Sequence, residues 1–164
     1  MTMTHYMELI ATNQPWNLII FMAIPVILAE TVAITELHVL YTRDFKSGIR
    51  KLNKWAGILS GIYFSGVFLY LFKNAVIPLT QTGGWRGPAD LLAVGFYLFG
   101  VVPLAGIAML ETGIIAKGKT DEEKLKIHAG FVCVFLLVAH IAMVFGMLNP
   151  EILGYHASDL MKMH

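Results

Sequence analysis

The sequence predicts an all-α fold, an integral-membrane four-helix bundle with both termini on the outer side, and three observations predict it. Of 164 residues, 57% are hydrophobic and 14% charged, where an average soluble domain has about 45–50% and about 25%. Apolar runs recur at about 16–42, 55–79, 89–116 and 127–148, each reaching the roughly 20 residues that a spanning helix needs. Basic residues cluster in two of the loops between these runs. The bilayer core offers the backbone no water, so continuous runs of this length are read as helices. Residues 1–164 are read as a single transmembrane domain.

The first run opens at Pro15-Trp16, an interfacial start, after fifteen mostly polar residues. That start lacks a positive n-region and no A-x-A-like site follows, so it is read as a retained span rather than a cleaved signal peptide. The second run carries Gly57, Gly61 and Gly66 with Ser60 and Ser65; small residues at such spacing let helices approach closely. TQTGGWRGPAD, 80–90, reads as a short Gly/Pro turn with Pro88 at the start of the third run. Thr120 and Glu123 have the spacing of a capping box, which starts the fourth helix. ILAETVAI, 27–34, and AMLETGII, 108–115, both place Glu-Thr in an apolar run after a proline, which leaves a two-plus-two repeat open.

Orientation follows from the basic residues. Arg43, Lys46, Arg50, Lys51 and Lys54 lie between the first two runs, and Lys117, Lys119, Lys124 and Lys126 between the last two. Only Lys73, Arg86 and Lys162 lie on the other side. The positive-inside rule then puts both basic loops in the cytoplasm and suits a bacterial inner (cytoplasmic) membrane. The charges are read as topology signals, not as a nucleic-acid surface. One cysteine, Cys133, excludes an intramolecular disulfide and a Cys-x-x-Cys site.

Ionisable groups inside a span cost at least about 2.5–3.5 kcal/mol each on the lenient insertion scale, so they are functional candidates. They are Glu30, Glu36, His38, Glu111, His128 and His140. Antiparallel threading puts Glu36 and His38 near the end of helix 1, Glu111 near the end of helix 3 and His128 near the start of helix 4 at one depth. Thr31, Thr35, His38 and Thr42 make a polar stripe on helix 1, from which a polar interior is expected. A softer set follows on helix 4: Cys133, His140 and Met147 at intervals of seven, with Met143 beside them and Met22 across from them. Thiolate and thioether ligands select soft ions. Met1, Met3, His5 and Met7 at one terminus and His156, Met161, Met163 and His164 at the other extend this set.

Three functions follow. In the first, the protein binds a transition-metal ion of the copper, iron or zinc class and takes part in metal handling or transport, the outer tails and soft residues relaying the ion to Glu30, Glu36, His38, Glu111 and His128. In the second it is a b-type cytochrome holding one haem b between His38 and His128 for membrane electron transfer. In the third it is an accessory subunit of a larger membrane complex. Its partners would be the lipid bilayer and either a second copy or another membrane subunit. The chain holds no P-loop, dinucleotide-binding glycine fingerprint, nucleophile elbow or zinc-protease signature, so hydrolase and nucleotide chemistry are not expected.

Overall fold

Four helices long and apolar enough to cross a membrane organise the chain: α2 Trp16–Thr42, α3 Gly48–Thr82, α4 Gly87–Glu111 and α5 Asp121–Met147. A short helix α1, His5–Ala11, precedes them, and a 3₁₀ turn, Pro150–Leu153, follows. The structure, a computed structural model, describes residues 3–155. Among these there is no strand. The tail residues His156, Met161, Met163 and His164, and Met1, lie outside the described residues.

The helix limits differ from the hydrophobic runs where capping chemistry takes over. Helix α3 begins at Gly48, well before the apolar run, because the Ser47 hydroxyl accepts from the Arg50 N–H and caps it. Helix α5 begins at Asp121, where Thr120 and Glu123 form the expected capping box. Helix α4 stops at Glu111 rather than 116, and Gly113 at φ 75° turns the chain out of the helix.

Two spans accommodate a proline by the same device. A proline lacks the N–H that would bond the carbonyl four residues back, and its ring crowds that carbonyl. A π-helical stretch precedes each: Ile19–Ala23 before Pro25, and Phe72–Val76 before Pro78. In the first, the Ile24 N–H reaches back to the Ile19 carbonyl, which leaves the carbonyls of Ile20 and Phe21 facing an absent donor. Two tyrosines from neighbouring helices fill the gap: Tyr63 donates to the Ile20 oxygen at 2.9 Å and Tyr97 to the Phe21 oxygen at 2.7 Å. Tyr97→Phe is therefore expected to lower stability by about 1–2 kcal/mol through the unpaired carbonyl. A denaturant titration showing no change would mean that lipid or water replaces the phenol.

Helix α2 packs on α3, α3 on α4 and α4 on α5, while α2 meets α5 over only a short stretch. Gly57 and Gly61 make the α3–α4 contact close: a Cβ on Gly61 would lie 2.6 Å from the Leu104 carbonyl oxygen. Gly66, expected to act in the same way, has open space beside it. The mid-bundle core is apolar, formed by Ala29, Val32, Phe64, Leu104, Ile107, Val132 and Phe135. A second cluster, Phe21, Val67, Leu71, Val94 and Leu98, lies nearer the end that carries the termini. Most outward-facing residues of the spans are apolar, among them Ile34, Ile62, Val102 and Leu137. Trp16 and Tyr41 lie exposed near helix ends, where amphipathic rings favour headgroups. This is the surface of an integral membrane protein.

Helix α1 closes the terminal end. Its N-cap Thr4 donates its hydroxyl to the Gly146 carbonyl at 2.8 Å. The His5 ring meets Asp90 at 2.6 Å, and the His5 N–H donates to the other Asp90 oxygen at 2.7 Å. Arg86 pairs with Glu8 at 2.6 Å and donates to the Met3 carbonyl. Tyr6 packs on Tyr97 with ring centroids 4.9 Å apart, and burial pushes its hydroxyl up to about 12, so it stays neutral. His5 is thus tied to Asp90, a role the Met/His reading of this segment does not contain.

Candidate functional site

At the basic-loop end, each of the four spans contributes a polar side chain to one buried cluster. Arg50 and Asn53 come from the first two turns of α3, Glu111 from the last residue of α4, His128 from the second turn of α5 and Glu36 from α2. Local structure puts them there. The early start of α3 brings Arg50, Asn53 and Gly57 onto one face, three and four residues apart. Gly57 gives the room: a Cβ there would lie 3.5 Å from His128 Nε2 and 2.7 Å from Ile107.

The centre is an imidazole between two carboxylates. His128 Nδ1 is 2.8 Å from Glu36 Oε2, and Nε2 is 3.4 Å from Glu111 Oε1. Arg50 Nη2 lies 2.8 Å from Glu111 Oε1 and donates to Oε2 at 3.1 Å. Arg50 Nη1 donates to Asn53 Oδ1, whose amide in turn donates to the Thr35 hydroxyl and the Val32 carbonyl. Side-chain exposure falls inward, from 20% for Arg50 through 5% for Glu111 to 3% for Glu36 and 1% for His128.

Two features of this arrangement govern its chemistry. With both carboxylates ionised, Arg50 supplies one positive charge against two negative ones, and the cluster is neutral only if it holds one more proton. An imidazolium presents a donor on each ring nitrogen, which suits a histidine flanked by two carboxylates. The two carboxylates also differ: Glu111 is clamped by Arg50, while Glu36 is not. Although Glu36 and His128 approach within 2.8 Å, the contact lies out of line for a hydrogen bond, so both Glu36 oxygens and both ring nitrogens are buried without a hydrogen-bond partner. Buried polar atoms rarely remain so, which sets Glu36 and His128 apart from the rest of the interior.

Of the four residues that the depth argument places in one layer, Glu36, Glu111 and His128 come together and His38 does not. Arg50, read only as a topology charge, and Asn53, not read at all, complete the cluster. Glu30 and His38 face outward from α2. His38 is two residues from Glu36 and thus turned about 200° away, so it does not face the buried His128. Cys133, His140, Met143 and Met147 lie on the exposed side of α5, and Met22 on that of α2; they form no interior relay within one chain. The His140 ring nitrogen Nδ1 is 2.6 Å from its own Leu136 carbonyl. Among the described residues, no three His, Cys, Asp or Glu side chains are arranged to hold a metal ion. The hydroxyls of Thr31, Thr35 and Thr42 bond carbonyls of their own helix, which is how the threonine stripe coexists with an apolar core. Glu30 is exposed and Glu111 buried, so the two Glu-Thr segments do not occupy equivalent places.

Over residues 1–162 the chain matches a family described as a family of unknown function, DUF6803, and it belongs to that family. No curated protein matches it. No solved structure matches it either.

Proposed function

We propose that this is a proton-responsive integral membrane protein, its basic loops in the cytoplasm, in which the Glu36–His128–Glu111 cluster takes up and releases a proton and thereby sets how α2 closes on α5. One observation carries the reading: a fully buried imidazole stands between two carboxylates of which only one is clamped by a cation. The nine-to-three distribution of basic residues supports the orientation. The exposure gradient makes Arg50 the side from which the cluster exchanges protons. Beyond His128 the interior is the apolar core, which offers a proton no onward route, so the cluster works as a switch rather than as a path across the membrane. Helix α2 touches α5 over a short stretch that includes the Glu36–His128 pair. Neutralising Glu36 removes the attraction that holds this seam closed. A switch of this kind suits a subunit that reports cytoplasmic acidity or ionic state to a membrane partner.

The test is infrared difference spectroscopy of the protein in bilayers across a pH step. A carboxyl band should appear on acidification, and both Glu36→Gln and His128→Gln should remove most of it, while Glu30→Gln spares it. A band that persists in both variants would place the titrating group elsewhere.

Metal handling is the second reading, favoured by the unpartnered donor atoms of Glu36 and His128. Their nitrogen and oxygen donors suit zinc- or iron-class ions better than copper(I), and Arg50 would have to leave Glu111 for a cation to share it. Elemental analysis of purified wild type and His128→Ala decides this: equal metal content in the two ends the reading.

A further inference from the structure

Glu30 takes no part in the cluster, yet it has the most demanding position in the chain. It lies fourteen residues from Trp16 and twelve from Thr42, the two ends of α2, or about 20 Å from each at 1.5 Å per residue. It is exposed, and among the described residues no side chain pairs with it. The outward faces of α3 and α4 at mid-depth are apolar, with Leu59, Ile62, Phe99 and Val102, and lipid suffices to cover them. Lipid does not suffice for a carboxyl, which needs a hydrogen-bonding partner at the same depth.

The residues around Glu30 say what that partner is. Ile27, Glu30, Ile34, Leu37 and Tyr41 are all exposed, with Ile34 and Leu37 each at 69%, and they succeed one another at intervals of three, four, three and four. That is the a/d spacing of a seam between two supercoiled helices, with one polar group in an otherwise apolar stripe. A two-fold axis along the membrane normal brings like residues opposite one another at equal depth. A carboxyl is complementary to its own copy under that symmetry, because its protonated form has both an O–H donor and an acceptor oxygen.

We infer that α2 is the interface of a homodimer, in which Glu30 of each copy hydrogen-bonds Glu30 of the other at the centre of an Ile27–Glu30–Ile34–Leu37–Tyr41 seam. The pairing requires at least one proton shared between the two carboxyls. It is independent of the Glu36–His128–Glu111 cluster, which faces the interior of each copy.

Cysteine cross-linking in native membranes tests it. In a Cys133→Ser background, single cysteines replace Ile27 or Ile34 on the seam and Leu59 off it, and an oxidation catalyst is followed by a non-reducing gel. The seam cysteines should give a covalent dimer at least 10-fold faster than the Leu59 position. Glu30→Gln, which keeps a donor and an acceptor, should preserve the dimer, and Glu30→Leu should cut it at least 5-fold while the protein still inserts. Native mass spectrometry of wild type in mild detergent should give twice the chain mass, and Glu30→Leu should shift it toward the single chain. Equal rates at Ile34 and Leu59 would reduce the cross-links to random collision. In the wild-type protein, cross-linking through Cys133 as fast as at the seam positions would move the interface to α5. An unaltered dimer in Glu30→Leu would remove the carboxyl pair. Each of these overturns the proposal.

Discussion

Arg50→Ala should lower the unfolding free energy by about 3–5 kcal/mol, the usual cost of stranding a buried charge. Its guanidinium holds both oxygens of Glu111 and also donates to Asn53. Without it the Glu111 carboxylate keeps only His128 Nε2, at 3.4 Å, and it sits at the C-terminal end of α4, where the helix dipole is already negative. Lysine is a poor substitute, since one ammonium cannot reproduce the planar fork that spans carboxylate and amide. Adding Glu111→Gln to Arg50→Ala should restore more than half of the loss, because a buried amide is less costly than an unpaired carboxylate. Unfolding in mixed micelles, followed by tryptophan fluorescence, measures all of these. A loss below about 1 kcal/mol for Arg50→Ala would class it with exposed ion pairs.

Gly61→Val should cost at least about 3 kcal/mol, the upper end of the usual range for overpacking. The first added carbon meets the Leu104 carbonyl oxygen at 2.6 Å and the Ala108 Cβ at 2.5 Å. Both belong to the rigid α4 backbone or its first side-chain atom, so no rotamer change relieves them; the helices must separate, and the Ile107–Gly57–His128 contacts loosen with them. Gly66→Ala is the control. Nothing lies within 4 Å of its added carbon, and the change should be neutral or gain up to about 1 kcal/mol through helix propensity. Equal losses at the two glycines would mean that α3 and α4 do not approach this closely in the membrane.

The spans were legible because a bilayer allows few alternatives: a run such as residues 127–148 has no other backbone solution. Depth was legible too, and by that argument alone Glu36, His38, Glu111 and His128 were expected in one layer. Face was not. Two residues separate Glu36 from His38, and only packing decides which of them turns inward. Arg50 and Asn53 escape a hydropathy reading because hydropathy rises only at about residue 55, whereas α3 begins at the Ser47 cap. Started there, Arg50, Asn53, Gly57 and Gly61 share one helical face, a pattern that marks the cluster from sequence. Helix α1 was missed because seven residues without strong periodicity give no signal; its docking rests on Thr4, His5 and Glu8 finding partners far along the chain.

Those partners also impose an order on biosynthesis. Thr4 bonds a carbonyl 142 residues later and His5 bonds Asp90, 85 residues later. During synthesis the N-terminal segment therefore has nothing to dock on until α4 has entered the bilayer, and its hold on Gly146 waits for α5. Closure of this end can occur only when α4 and α5 are both correctly threaded. A chain with a span left out or inverted would keep this segment undocked, open to proteolysis on that side of the membrane.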